Sequence, residues 1–142
     1  MKSSESRYCK CIYFASGVLA RKMEKMAIEC WKKIALAPSH GYLLLLVIDY
    51  PGIQPGNLSE ELQLSPSTIT RLIEKLEEKK LVTRAAEGKL TKVLPTTKGK
   101  ELLPQLKSCA AEFHEIYTAI LGKEDSARLV DHMHRMTEKL RH

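Results

Sequence analysis

The chain has 142 residues and a formal net charge of +6, with 44% apolar and 28% charged residues. This composition excludes a disordered chain, and the length suits one domain that needs no disulfide or metal to fold. Basic residues outnumber acidic ones 8 to 4 in residues 1–54 and 9 to 6 in residues 55–100, but not in residues 101–142. A polyanionic partner would therefore bind the first two thirds of the chain.

Neither the cysteines nor the apolar runs indicate export or a membrane. The four cysteines stand at positions 9, 11, 30 and 109. No apolar run approaches the about 20 residues that a membrane-spanning helix needs, and no convincing export signal precedes the first helix. The sequence therefore predicts free thiols in a reduced, cytoplasmic setting.

The first predicted element is a long amphipathic helix over residues 6–35, where apolar residues recur every three or four positions. Pro38 separates it from a second helix over residues 40–49, for which Ser39 is the predicted cap. The letters YLLLLVI predict that this second helix is nearly fully buried. After the loop YPGIQPG, a short helix is predicted over residues 55–62.

The next helix begins in the stretch LSPSTITRLIEKLEEKKLV. Ser65 is a good N-cap, and Pro66 suits the first helical position because its missing N–H would be unpaired there anyway. The spacing i, i+3, i+4, i+7 predicts one buried stripe, formed by Ile69, Leu72, Ile73 and Leu76. The opposite face has hydroxyl and basic residues and no acidic residue before Glu74. The leading half of the exposed face is therefore neutral to positive.

Two short strands and two further helices complete the prediction. LVTR and LTKVL are predicted to form a hairpin around AAEGK, with Glu87 and Gly88 as its turn. Thr96 is the predicted cap of a helix that runs to Leu121. Gly122 ends that helix, and a last helix with one apolar stripe follows it.

This order of elements predicts a mainly α chain with a small β-hairpin wing, namely a winged helix-turn-helix flanked by long N- and C-terminal helices. In such a module the second helix of the pair lies in the major groove, and its leading residues touch base edges. Small hydroxyl residues let the backbone approach closely, and Arg matches the O6 and N7 atoms of guanine. The alternative is a capped surface helix without a nucleic-acid partner, because Ser, Thr and Pro are common at helix starts.

The stretches NLSEELQLSPSTITRLIEKLEEKKLVTR and KVLPTTKGKELL resemble the MarR family of dimeric transcriptional regulators, and the likeness extends from Cys11 to the end of the chain. The resemblance implies a homodimeric repressor that reads a pseudo-palindromic double-stranded DNA site and is released by a small molecule or an oxidant. It implies one structural domain in three segments: an N-terminal dimerisation helix in residues 1–37, the winged helix-turn-helix in residues 38–96 and C-terminal dimerisation helices in residues 97–142. The long apolar stripes outside the winged module need such a partner.

The recognition helix and the wing supply the predicted DNA contacts. These residues are Ser65, Ser67, Thr68, Thr70, Arg71, Lys75, Arg84, Lys89 and Lys92.

Three features of the sequence depart from the family pattern. Gln63 stands in the turn where the family often has Gly, and a left-handed conformation there would cost a fraction of a kcal/mol. Pro95 replaces an apolar residue, and the short wing lacks the acidic-plus-arginine motif with which family members reach the minor groove.

Two cysteines and four ring-bearing residues are further candidate site residues. Cys9 and Cys11 flank the position of the reactive cysteine in the peroxide-sensing branch of the family, and Lys10 and Arg7 nearby could favour a thiolate. The resemblance also implies a cavity for a small aromatic or phenolic effector, which four ring-bearing residues could line. The alternative is that these residues only pack against other side chains. These candidates are Tyr13, Trp31, His40 and Tyr42. By contrast, Cys30 and Cys109 fall on apolar stripes and are predicted to lie in the core.

No cofactor, metal site or enzymatic activity is predicted. The sequence has no phosphate-binding loop, no nucleophile elbow and no carboxylate pair with supporting context, and its Cys and His residues lack the paired spacing of a zinc module. The alternative function is a winged-helix module that binds another protein and not DNA, because winged domains serve both purposes. A thiol-based redox sensor using Cys9 and Cys11 is a third hypothesis, compatible with the first.

Overall fold

The computed structural model describes residues 1–140, so the last two residues of the predicted segment 97–142 lie outside it. Within that range the fold is helical apart from one two-stranded antiparallel sheet. The elements are α1 (Ile12–Trp31), α2 (Pro38–Asp49), α3 (Pro55–Leu62), α4 (Pro66–Glu78), β1 (Val82–Glu87), β2 (Leu90–Pro95), α5 (Thr97–Glu101), α6 (Leu103–Leu121) and α7 (Lys123–Lys139). None of the helices in residues 1–140 combines the length and the hydropathy that a bilayer crossing requires.

One hydrophobic core holds α2, α3, α4 and the hairpin together and extends to α1 and α6. The four stripe residues of α4 are all buried, as the spacing predicts. The largest fully buried side chains of this core are Trp31, Leu43, Leu44, Leu58, Ile69, Ile73, Leu76 and Leu106. The prediction that Cys30 and Cys109 lie in the core is confirmed, because their relative exposures are 3% and 1%.

Two glycines allow elements of this core to approach closely. A Cβ atom at Gly41 of α2 would lie 2.1 Å from Cζ3 of Trp31, and one at Gly99 of α5 would lie 2.2 Å from the carbonyl oxygen of Leu81. Only a residue without a Cβ fits at either place without displacing a neighbour. Gly41 thus lets the Trp31 ring pack directly on α2, and Gly99 lets α5 contact the segment that follows α4.

The hairpin forms the predicted wing, with longer strands than predicted. Val82 pairs with Pro95 and Glu87 with Leu90. The prediction of Glu87 and Gly88 as the turn is wrong by one residue, because Glu87 is still paired and the loop consists of Gly88 and Lys89. Gly88 has a φ of 63°, which Gly adopts without a steric penalty.

The first helix is shorter than the predicted span of residues 6–35. Helix α1 begins at Ile12 because Cys11 is extended, with φ −88° and ψ 124°. It ends at Trp31, and a 3₁₀ turn over Lys32–Ile34 leads to Ala35, whose backbone is left-handed. Apolar spacing alone does not locate these two departures from helical geometry.

The predicted cap of the second helix is wrong. Helix α2 begins at Pro38 with Ala37 as its N-cap, and that cap makes no side-chain hydrogen bond. Ser39 therefore lies within the first turn. Pro38 opens the helix instead, because its fixed φ suits the first helical position and it has no N–H that needs a partner.

The helix predicted from Thr96 to Leu121 is two helices. Thr96 does cap α5, since its Oγ1 accepts a hydrogen bond from the Gly99 N–H at 3.0 Å. Leu102 then separates α5 from α6. Pro104 accounts for the break, because it has no N–H to donate to the carbonyl one turn earlier.

Candidate nucleic-acid interface

Helix α4 has a capped start and an exposed polar face. The Ser65 hydroxyl accepts a hydrogen bond from the Thr68 N–H at 3.3 Å, and Pro66 opens the helix. Ser67, Thr70 and Arg71 are exposed, whereas Thr68 is half-buried. Burial of the opposite apolar stripe fixes this orientation. The leading half of α4 therefore presents small hydroxyls and one guanidinium to solvent.

A chain of hydroxyl contacts connects the cap to Arg71. The oxygens of Ser65 and Thr68 lie 2.9 Å apart, and Nη2 of Arg71 donates to Oγ1 of Thr68 at 3.4 Å. Thr70 differs, because its hydroxyl donates to the carbonyl oxygen of Pro66 at 3.0 Å. Thr68 thus contributes to the orientation of the guanidinium, and Thr70 has only its lone pairs available to a ligand.

The turn before α4 contains a left-handed residue, Gln63. Gln63 has φ 53° and ψ 45°, and its Nε2 donates to the carbonyl oxygen of Glu60 at 2.6 Å. This hydrogen bond offsets part of the cost of a left-handed non-glycine residue. The left-handed conformation considered for Gln63 from the sequence is therefore observed.

Two of the three candidate cations of the wing are engaged in ion pairs. Arg84 of β1 lies 2.7 Å from the carboxylate of Glu77 on α4. Lys92 forms an ion pair with Glu87, and the hydrogen bond from Lys92 lowers the pKa of that carboxyl. No ion pair within residues 1–140 involves Lys89, which lies in the loop at the wing tip. Lys89 is thus the wing cation most available to a phosphate.

Charge on α4 changes sign along the helix. The remaining candidate, Lys75, is exposed and lies 3.8 Å from Glu78. The second half of the helix also contains Glu74 and Glu77. A polyanion would therefore approach the leading half of α4, where no carboxylate competes for it.

The four candidate effector residues do not line one cavity of the chain. Tyr13 is 89% exposed near the start of α1, and Trp31 is fully buried. The Trp31 and Tyr42 rings pack with centroids 5.2 Å apart. His40 is half-buried, and burial lowers the pKa of its imidazole, with Lys79 and Lys75 acting in the same direction. Tyr42 lines a cleft that could hold a ligand.

That cleft has a volume of about 490 Å³ and lies between α1, α2 and the turn that precedes α4. We call it the turn cleft. It is lined by Ala20, Glu24, Ala27, Ile28, Ala37, Pro38, Ser39, Tyr42, Leu62 and Leu64. No spacing rule relates α1 to the turn, so the sequence does not predict Glu24, Leu62 and Leu64 as lining residues.

The two candidate redox cysteines lie at the N-terminal end of the chain. Cys9 is half-buried in a shallow depression that also involves Phe14 and Lys22, and Cys11 is exposed at the N-cap of α1. In contrast, burial raises the pKa of the Cys30 and Cys109 thiols. The accessible thiols are therefore Cys9 and Cys11, as the redox hypothesis requires.

An apolar face remains uncovered on the helices outside the winged module. Helices α1, α6 and α7 form a second cleft, of about 410 Å³, lined by Leu19, Met23, Phe113, Tyr117, Leu121, Leu129, Val130 and Met133. Several large apolar residues here are well exposed, including Val130 at 42% and Met133 at 43%. We call this surface the α1/α7 face. Contiguous exposed apolar surface of this kind is typical of a protein–protein interface.

The helix-turn-helix formed by α3 and α4, followed by the β1–β2 hairpin, defines a winged helix-turn-helix protein. Residues 36–89, which extend from just before α2 to the hairpin loop, match the model of the MarR family. Over 127 residues, the chain is 24% identical to an uncharacterized HTH-type transcriptional regulator, YybA of Bacillus subtilis (strain 168), covering 87% of this chain and 85% of YybA.

Two solved structures share the fold over nearly their whole length. The MepR–DNA complex of Staphylococcus aureus matches with a TM-score of 0.79 and 19% identity, covering 91% of this chain and 98% of MepR. CouR of Rhodococcus jostii RHA1, bound to p-coumaroyl-CoA, matches with a TM-score of 0.83 and 18% identity, covering 94% of this chain and 96% of CouR. Residues 36–89 thus match the MarR family in sequence, and the chain as a whole shares the fold of MepR and CouR.

Proposed function

We propose that this protein is a transcriptional regulator that binds a specific double-stranded DNA site, acting in the cytoplasm as a homodimeric repressor. The observation that carries the proposal is the leading half of α4. It is exposed, capped, free of carboxylates and equipped with an oriented Arg71. A neutral or positive helix start with small hydroxyls can enter the major groove and approach base edges.

The proposed contacts fall into two groups. The first group faces the major groove from α4 and comprises Ser65, Ser67, Thr68, Thr70, Arg71 and Lys75. The second group is the wing, where we propose that Lys89 neutralises a phosphate. The ion pairs of Arg84 and Lys92 support a smaller role for these two residues, because a phosphate would have to displace a carboxylate from each.

The alternative, a winged module that binds protein, is not favoured. Protein interfaces are anchored by aromatic or large aliphatic side chains. Among the described residues, none of the exposed large hydrophobics lies on α4. MepR, which shares the fold, forms a complex with DNA. Both observations support the DNA-binding function for this chain.

We propose that the α1/α7 face joins two copies of the chain, with residues 1–37 and 97–142 as dimerisation segments around the module of residues 38–96. Two winged modules related by a two-fold axis read a pseudo-palindromic site, because the symmetry of the site mirrors that of the protein. The effector of such a repressor would be a small aromatic molecule or an oxidant. CouR, which shares the fold, binds p-coumaroyl-CoA.

Selection of bound sequences from a random DNA pool tests the proposed function. We expect the full-length protein to enrich sites with two inverted half-sites, about 10 base pairs apart from centre to centre. The variant Arg71→Ala, selected in parallel, should enrich a less specific pool. Failure of the unmodified protein to enrich any sequence would contradict the proposal.

We further propose that Cys9 or Cys11 senses oxidants. Stoichiometric peroxide should weaken DNA binding by the unmodified protein but not by a Cys9→Ser, Cys11→Ser double variant, because both accessible thiols are then absent. Fluorescence anisotropy on the selected duplex measures both responses. An equal loss of affinity in the two proteins would remove the redox hypothesis and leave the DNA-binding function unaffected.

A further inference from the structure

We infer that the turn cleft binds an apolar cation, such as an aromatic amine, with Glu24 as its counter-ion, and that it disfavours an aromatic acid. This inference rests on the proposed function, because it names the chemical class of effector that such a regulator would recognise. It narrows the small aromatic or phenolic effector that the family resemblance implies to one that has a positive charge.

The size and lining of the turn cleft suit a small organic molecule. Its volume of about 490 Å³ falls within the range of about 300–1,000 Å³ that is usual for ligand sites. Seven of its ten lining residues are apolar, among them Ile28, Leu62 and Leu64. Such walls favour the burial of an apolar ring.

The polar groups of the cleft determine the charge that it accepts. Glu24 is the one charged residue among those lining it in the described chain. A ligand carboxylate would be placed near this carboxylate without a lysine or arginine in the lining to offset the repulsion. A ligand ammonium would instead gain a favourable electrostatic interaction.

The other two polar lining residues are compatible with a cation. Tyr42 contributes an aromatic ring, which can make a cation–π contact, and a phenol oxygen, which can accept a hydrogen bond. Burial raises the pKa of this phenol, so it stays neutral in the physiological range and does not act as a second anion. Ser39 adds a hydroxyl that can accept a hydrogen bond from an ammonium group.

The cleft also connects an occupant to the DNA-reading helix. Leu62 and Leu64 flank the left-handed Gln63, and Leu64 directly precedes the cap residue Ser65. A molecule seated against these leucines contacts the segment that fixes the start of α4. Binding that alters this segment would therefore alter DNA affinity, and DNA would alter ligand affinity by the same factor.

Calorimetric titration of the full-length protein with three matched probes tests the inference. The probes are 2-phenylethylammonium, the neutral 2-phenylethanol and the anionic phenylacetate. We expect the cation to bind tightest and the anion weakest. Because Glu24 is exposed at the rim, where solvent screens its charge, the variant Glu24→Gln should weaken binding of the cation only about three- to fivefold. Its affinity for 2-phenylethanol should not change.

Glu29→Gln is the matched control, because Glu29 lies on the same helix, is exposed, pairs with Lys32 and does not line the cleft. It should leave all three affinities unchanged. Tighter binding of phenylacetate, an equal loss for all probes in Glu24→Gln, or no binding by any probe would overturn the inference. DNA binding by the ligand-free protein is measured separately, so failure of the proposed function is distinguished from failure of the cleft assignment.

Discussion

Replacing Arg71 by Ala is expected to cost about 1–3 kcal/mol of binding free energy on the selected DNA site and much less on a scrambled duplex, if Arg71 reads a base. The guanidinium is exposed, faces no carboxylate on the leading half of α4 and contacts Thr68. It is therefore available to a base edge with part of its orientation already fixed. Fluorescence anisotropy on both duplexes across a salt series measures the effect.

Lys89→Ala provides the comparison for this experiment. Lys89 lies at the wing tip, where we propose that it contacts a phosphate. Its loss should therefore weaken binding to both duplexes by a similar factor and reduce the slope of log affinity against log salt concentration by about one unit. An equal loss on both duplexes for Arg71→Ala would reduce Arg71 to a backbone contact. If Arg71→Ala lost no affinity for either duplex, α4 would not be the helix that reads the DNA sequence.

Introducing a charge on the α1/α7 face should separate the dimer. Met133 lines the cleft between α1, α6 and α7 and is 43% exposed in the single chain. In a dimer that covers this face, Met133→Glu would bury an unpaired carboxylate in each copy, at a cost of roughly 3–5 kcal/mol per site. Sedimentation at low micromolar concentration should show twice the chain mass for the unmodified protein and the chain mass for the variant. The affinity of the variant for the specific DNA site should also fall, because a monomer has only one winged module.

Ala127→Glu is the matched control, because Ala127 is exposed on the polar side of α7 and does not line that cleft. The added charge should leave the protein dimeric. A monomeric unmodified protein would contradict the proposed architecture, and a dimeric Met133→Glu variant would place the interface elsewhere.

Features that depend on neighbouring residues in the sequence could be predicted. The cap at Ser65 and the buried stripe of α4 follow from residue type and helical spacing, and both are confirmed. These predictions succeed because each depends on interactions within about one or two helical turns. For Gln63 the resemblance gave only the cost that a left-handed conformation would have, and the structure shows that conformation.

The failures concern contacts between elements that are distant in the sequence. The sequence gives no sign that Glu77 of the preceding helix lies 2.7 Å from Arg84, so it does not predict the ion pair that reduces the role proposed for Arg84. The four proposed effector residues were chosen as ring-bearing side chains, but Trp31 packs in the core and Tyr13 lies in solvent. Glu24 was overlooked, because its position beside Leu62 and Leu64 depends on how α1 packs against the turn.

Trp31 is the single tryptophan of the chain, and Gly41 allows its ring to pack on α2 beside Tyr42. Its intrinsic fluorescence therefore comes from one fully buried site, next to a residue that lines the turn cleft. A change in the packing of Tyr42 would alter the polarity around the indole, and with it the wavelength and intensity of emission. The native protein thus contains its own optical reporter of the cleft, and titrations can be followed without an attached dye.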